Sequence, residues 1–571
     1  MKFYLKLLIA SCFILLTITK LSCQTTAIYV ASNGSDKNGN GTSTLPYLTI
    51  QKALTKAISL IVNKIYLIPG VWNISAEQEI SGGNPNGMEI LISKDPLMSG
   101  DVIFDGKSIS NEPTNSGVLF FNSCSNLTIR HITVRNNPVG HGIKIDFGRN
   151  IKIEECIVHS NKQKGIQSSG DFLLFFGNEL YNNCRQNLNG IQQTNGLGWP
   201  NVLNVRYKPD NTRSSNITFK NNSVHDNWGE GICSIFSDTV NISNNRVYNN
   251  WSGNVLVESA SNVIVSSNYL YNHPDSAFMQ DNVLTFRKEK CSGIIIGTEW
   301  LDNSALPYSM CSNIMIINNI MNYTKHGITF IYPQKTALTI PQFNSYNTIK
   351  IYHNTLRNMQ ASGVNFVAVP DIIGNVQPSG CEMINNIISA GAAGSSSSLN
   401  LGDNTDKMAW IIRNNTFPSG IPSSDLTGTI NSNNNQLVPS FLYNETELTD
   451  KCALLNNSNK LSDKGYDLII TVSSDYFGNK RTLKTTIGAH EVDINTTNED
   501  TLTDSNLTVK ISGNEVTVSG YNVDFPLEVF DFSGRKIYYF DTKQNSYIIK
   551  LQKGTVYLLK NGNSKPYKLL M

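Results

Sequence analysis

Short runs of alternating apolar and polar residues recur along most of the chain, each only three to five residues long and each followed by a polar pair rich in asparagine. Alternation at period two puts successive side chains on opposite faces of a strand, and runs this short leave no room for helices. The segments LTIRHITVRNNPVGHGIKI, IKIEECIVHSNKQKGIQSS, ITFKNNSVHDNWGEGICSI, VNISNNRVYNNWSGNVLVE and IKIYHNTLRNMQASGVNFV share one plan. An alternating strand and a polar pair are followed by a second short strand, another polar pair, and a Gly or Asn that opens a third strand. The clearest period, Ile217 to Val240, is about 23 residues, within the range of solenoid repeats.

Strands stacked in this way form parallel sheets, and the asparagines after them suit sharp corners, because Asn tolerates left-handed backbone and bonds to nearby backbone groups. Stacked Asn side chains also form ladders from rung to rung at about 4.8 Å. The pattern predicts an all-β chain built as a right-handed parallel β-helix. IYVASNGSDKNGNGTSTLPYLTIQKALTKA resembles the opening of exported β-helix proteins, with a short amphipathic helix capping the first coil, and SDYFGNKRTLKTTIGAHE resembles their closing segment.

The expected organisation is a signal peptide at 1–23, a β-helix with an N-terminal cap at 24–491, a polar linker at 492–506 and a small β-sandwich at 507–571. That last part, with LEVFDFSGRKI, then GTVYLLKNG, then the lysine-bearing end KPYKLLM, resembles the C-terminal sorting domain of the type IX secretion system of Bacteroidetes. The resemblance implies passage across the outer membrane, with the outer-membrane secretion machinery as a partner and a secreted or surface-attached product.

Lys2 and Lys6 precede an apolar run from Leu7 to Ile18 with small residues near Ser22 and Cys23, the form of a secretory signal. Lipid attachment at Cys23 is the alternative, and Lys20 stands against it. No later stretch approaches the roughly 18 consecutive apolar residues of a spanning helix. With 46 basic and 44 acidic residues and no long basic run, the chain lacks the charge that neutralises a nucleic-acid backbone. Ten cysteines in 571 residues are no disulfide framework. Cys156 and Cys184 are expected to stack as buried thiols, and Cys291 and Cys311, which flank an insertion, are the better candidates for a bridge.

Aligned on the residue that opens the third strand, the repeats give a column of Gly142, Gly165, Gly190, Gly231, Asn254, Ala277, Gly327 and Gly363. Two and four residues further on, alternation predicts outward side chains: Lys144 and Asp146, Gln167 and Ser169, Gln192 and Thr194, Glu258, Asp281, Thr329. Just before the column stand His141, Lys164, Asn189, Glu230, Ser276 and His326. The repeat is interrupted between Asn187 and Ser215 and between Asp275 and Asn303, and such insertions often wall a cleft. Trp199 and Trp300 are candidate platforms for sugar rings, and Arg206, Arg213, Arg287 and Lys288 candidate partners for carboxylate or sulfate. Trp228 and Trp251 repeat at one place and read as packing.

These groups support two chemistries. Glu230 and Glu258, one rung apart, are a candidate carboxylate pair for a glycoside hydrolase, which needs them about 5–9 Å apart. Alternatively Lys144, Lys164 or Lys288 abstracts the proton beside a uronate carboxyl group, with Asp146 and Asp281 as candidate calcium ligands. His141, Gln167 and Gln192 complete the candidate substrate contacts. Asp226 replaces a corner asparagine, and a turn bond is its expected role. The polygalacturonase pair of aspartates is missing, as is a DDG cluster like that of one pectate lyase group. The preferred reading is a secreted lyase acting on an acidic polysaccharide by β-elimination. A hydrolase and a non-catalytic surface carbohydrate-binding or adhesion protein are the alternatives.

Overall fold

The computed structural model describes residues 27–83, 87–190, 200–274, 277–280, 283–286, 291–297, 310–331, 346–366, 378–389, 398–400, 410–417, 461, 464–481, 483 and 485–491 of a first compact unit. A second unit follows, described at 492, 502–504, 507–512, 515–519, 527–531, 536–540, 546–551, 556–561 and 567–570. The signal segment, Cys12 and Cys23 lie outside the described residues, as does Cys452.

The first unit is the expected right-handed parallel β-helix. Each coil contributes a strand to three faces, as in Glu230–Ile235, Ser237–Ser243 and Arg246–Tyr248. In the early coils the first two faces run together in one long bent strand, such as His141–Glu154. Strands pair in parallel register from coil to coil, so Ile143, Ile166, Leu203, Ile232, Val255, Ile294, Ile328 and Val364 form one inward column. All eight are fully buried. The helix Ile50–Leu60 covers the first coils with Ile50, Ala53, Leu54 and Ala57, and Thr49 caps it by accepting from Lys52 N. Among the described residues no helix is long and apolar enough to cross a membrane.

Two internal asparagine ladders hold the coils in register. The longer one climbs through Asn178, Asn222, Asn245, Asn268, Asn319, Asn354, Asn386 and Asn415, all buried. Asn245 shows the unit of the pattern. Its Nδ2 donates to Phe219 O and to Asn268 Oδ1, both at 2.9 Å, and its Oδ1 accepts from Asn222 N at 2.9 Å and Asn222 Nδ2 at 3.0 Å. One side chain thus satisfies backbone groups that a buried corner would otherwise leave unpaired. The preceding residue turns the chain in left-handed conformation, as Asn221, Asn244, Ser267 and Asn318 do. A second ladder runs through Asn137, Asn161, Asn183, Asn227 and Asn250. Its corner residues include Asp226, at φ 53°, which bonds His225 Nδ1 at 2.7 Å and Asn249 Nδ2 at 3.0 Å. On the third face the rings of His159, Tyr181, His225, Tyr248 and Tyr271 stack edge-out along the axis.

The closing segment lies along the body of the helix. Arg481, buried, pairs with Glu491 at 2.8 Å and donates to Asn318 Oδ1 at 2.9 Å, while Gly488 N reaches Asn385 O. The cysteines depart from expectation. Cys291 and Cys311 are both free thiols: Cys291 Sγ donates to Asn272 Oδ1 and Cys311 Sγ to the carbonyls of Gly297 and Val257. Cys291 precedes the strand Ser292–Gly297 and Cys311 bonds the carbonyl at its far end, a separation of about 20 Å that no disulfide spans. Cys156 and Cys184 are buried but belong to different corners, Cys156 below Asn178 and Cys184 just after Asn183.

The second unit has two four-stranded antiparallel sheets. Val516, Val518, Tyr547 and Ile549 of one sheet cluster with Val529 and Leu559 of the other, which makes a sandwich. Leu502–Asp504, read as linker from its polar composition, pairs with Leu507–Val509 as a further strand.

The ladder sets a measurable cost. Asn245→Ala leaves several buried partners unsatisfied and should lower the unfolding free energy by about 3 kcal/mol. Urea unfolding followed by far-ultraviolet circular dichroism measures it, and a midpoint equal to that of the native protein would contradict the ladder's role.

Candidate active-site face

The first face carries three outward columns, fixed by register. His141, Lys164, Asn201, Glu230, Gly253 and Ser292 stand at the strand starts. Phe120, Lys144, Gln167, Asn204, Cys233, Leu256, Ile295 and Thr329 form the second column. Asn122 and Asp146 begin the third, which includes Ile235, Glu258, Gly297 and Ile331 further along. Lys144, Asp146, Gln167 and Glu258 thus lie on the face where alternation puts them.

Two rungs are filled by other segments than expected. Asn201–Val205, not the chain after Gly190, pairs between Ile166–Ser168 and Glu230–Ser234, and Arg185–Gly190 is a short 3-10 turn. The reason is packing: Val202, Leu203 and Val205 offer buried apolar side chains, whereas IQQTNG has only one. In the same way Ser292–Gly297, with Ile294 and Ile296 inward, fills the rung assigned to Ala277, which lies instead in an antiparallel hairpin with Val283–Phe286. Gln192, Thr194, Trp199, Asp281, Arg287, Lys288 and Trp300 lie outside the described residues. Asn201 and Asn204, which the glycine alignment missed, take the outward places; the NVLNVR alternation is the signal that finds them.

Lys164 is the electrostatic centre of the face. Its Nζ donates to Gln167 Oε1 at 3.1 Å. Burial and then the positive charge of Arg206 lower its pKa to about 8, against a smaller pull upward from the Glu230 carboxylate. His141, buried, accepts from Lys164 N at Nδ1, 3.2 Å, which leaves its ring proton on Nε2. Burial, with the charges of Lys164, Lys144 and Arg206, holds that imidazole neutral, well below its usual range. His326 accepts from Ser362 N in the same geometry two coils beyond Gly253, so bonding the next rung is a shared role of both histidines.

Glu230, buried, accepts from Asn201 Nδ2 at 2.7 Å and lies 4.0 Å from Cys233 Sγ. Burial, followed by the Glu230 charge, keeps the Cys233 thiol protonated. Lys144 pairs with Asp146 at 3.3 Å and lies 4.2 Å from the centre of the Phe120 ring. Arg206 lies over Tyr207, and Arg213 over Phe236 with a bond to Ser237 O. Trp228 is buried and packs 5.5 Å from Trp251.

The pairing of Glu230 with Glu258 does not survive the register. Glu258 stands opposite Ile235, at the other end of the Glu230 strand, and a span of that length is about 16 Å. Between them the outward side chains are apolar: Cys233, Ile235 and Leu256 cluster with Ile295 and Phe236. Of the two candidate calcium ligands, Asp146 is engaged by Lys144 and Asp281 lies outside the described residues, among which no three His, Cys, Asp or Glu side chains come together.

The family model of the right handed beta helix region matches residues 26–206 and 214–406. No curated protein matches the chain. Among solved structures, pectate lyase Pel9A aligns over 82% of this chain and 96% of its own at 14% identity and a TM-score of 0.40. A rhamnogalacturonan lyase aligns over 71% and 89% at 16% identity and 0.42. PfbA, a surface adhesin of Streptococcus pneumoniae, aligns over 64% and 84% at 12% identity and 0.40.

Because the Glu230 charge raises the Lys164 pKa, Glu230→Gln should lower it below about 8. The pH dependence of amine labelling at Lys164, read by peptide mass spectrometry, measures this; an unchanged or raised midpoint would contradict the arrangement.

Proposed function

We propose that this chain, which belongs to the right-handed β-helix family, is an exported polysaccharide lyase that cleaves a uronate-containing polysaccharide by β-elimination, with Lys164 as the base. The observation that carries the reading is an outward lysine whose pKa is about 8, bonded to Gln167 and set among cations. A general base works best when its pKa lies near the working pH. An ordinary surface lysine, near 10.4, is charged there and has no free electron pair.

In this reading the neutral Lys164 Nζ takes the proton from the ring carbon that bears the carboxylate. The electron pair of that C–H bond forms a double bond to the neighbouring ring carbon, and that carbon's bond to the glycosidic oxygen breaks. The leaving oxygen takes a proton from solvent. Negative charge gathers on the carboxylate as the carbon loses its proton, and Arg206 and Lys144 are the cations suited to offset it. Gln167 orients the amine by accepting from it. His141 is a positioning residue: it holds the backbone of Lys164, and its neutral ring adds no charge to an already cationic site. The N-terminal signal and the sorting-domain resemblance of the second unit support delivery outside the cell. The register argues against the hydrolase reading, which needs Glu230 and Glu258 close together.

The protein should release unsaturated uronate, read by ultraviolet absorbance, from at least one of polygalacturonate, alginate and chondroitin sulfate. Lys164→Ala should lower that rate by about two to four orders of magnitude while leaving polymer binding in place. In the native protein the rate should rise with pH through about 8, as Lys164 loses its proton. Full activity in Lys164→Ala removes this residue as the base, and reducing ends without absorbance would replace the lyase by a hydrolase.

A further inference from the structure

Phe147 and Phe172 are exposed, by 37% and 52%, on the strands that carry Lys144 and Gln167. Both stand in left-handed backbone, at φ 52° and 57°, a conformation that a bulky side chain opposes. Neighbouring coils show what the corner otherwise selects. Register puts Phe172 in one column with Asn126, Asn150, Asn216, Thr239, Asn262 and Asn313, all of them left-handed. Asn there bonds the next rung, as Asn150 Nδ2 does to Asn126 Oδ1 at 2.8 Å and Asn313 Nδ2 to Asn262 Oδ1 at 2.6 Å. Phe172 forfeits that bond, keeps the strained backbone and leaves its ring in water. An outlier of this kind points to function.

On the strand of Phe147, two residues on and one position short of the Phe172 column, stands Arg149, also exposed. Its register partner Asp171 is already engaged, by Lys208 Nζ at 2.8 Å and by Ser215 Oγ at 2.9 Å, and Arg149 makes no ion pair with any described residue. Phe147 follows Asp146 directly, so the patch continues the candidate site around its edge. Backbone geometry puts the two phenylalanines within about 11 Å of each other.

We propose that Phe147, Arg149 and Phe172 form a secondary binding platform for the acidic polysaccharide, holding sugars of the same chain beyond the bond that is cleaved. This rests on the lyase reading for the identity of the chain. Each aromatic ring takes the C–H face of a sugar, and the Arg149 guanidinium takes a uronate carboxylate in bidentate fashion.

The test is the affinity of the full chain for polygalacturonate, alginate and chondroitin sulfate, by affinity electrophoresis and calorimetry, in a Lys164→Ala background. Phe147→Asn and Phe172→Asn should each weaken binding by about two- to tenfold, with no fall in melting temperature, because Asn suits the corner. Ile264→Asn, at a position 40% exposed on the second face, is the control and should change nothing. Unchanged affinity in the double phenylalanine variant overturns the platform, as does a parent protein that binds none of the three polymers. Weakened binding together with undiminished cleavage by Lys164→Ala would overturn the assignment of the base and leave the platform standing.

Discussion

Everything on the outer face depends on what happens at the corners inside. A coil that turns three times per rung buries backbone N–H and C=O groups where no strand partner exists, and such groups cannot stay unpaired. At each laddered corner one asparagine meets the demand by accepting from the coil on one side and donating to the coil on the other. Because the amide must sit at the same place in every coil, it locks the register of the strands on either side. A residue's place along the first face follows from its distance in sequence from the nearest ladder asparagine.

That constraint decides which chemistry is available. Two side chains act together when they share a column or stand within a few positions on neighbouring rungs, as Lys164, Gln167 and His141 do. Glu230 and Glu258 do not, although they lie on successive coils. The same register gathers His141, Lys144, Lys164 and Arg206 into one cationic region. Burial first, and then like charges at close range, disfavour the charged form, and His141 and Lys164 both hold their protons less tightly for these reasons. A face that needed only solubility would have spread those charges. Further along, the outward positions turn apolar at Cys233 and Leu256, so the charged region has a definite edge.

Much of this was legible in the residues themselves. Alternation and recurrent asparagines are local signals, and the β-helix follows from them, as does the outward placement of Lys144, Asp146 and Gln167. Asp226 was readable as a corner residue because its neighbours in the repeat are asparagines. Which of two competing segments fills a rung was harder to read: alignment on glycine points to the chain after Gly190, whereas the NVLNVR alternation, with Val202, Leu203 and Val205 buried in the coil, points to the segment that takes the place. The thiols were misread for a related reason, since flanking an insertion says nothing about which acceptor lies nearest to Cys291 or Cys311. The lowered pKa of Lys164 depends on burial and then on Arg206, which comes from beyond an interruption in the repeat, so neither has a signature in the local sequence.

The central claim is that the face breaks its polymer by elimination. Its most direct test is the mass of the products, measured on short uronate oligosaccharides of defined length. Elimination adds nothing to the substrate, so the two fragments should sum to its mass, with the unsaturated fragment one water lighter than its hydrolytic counterpart. Fragments that sum to the substrate plus one water would contradict the account and move the chemistry away from Lys164.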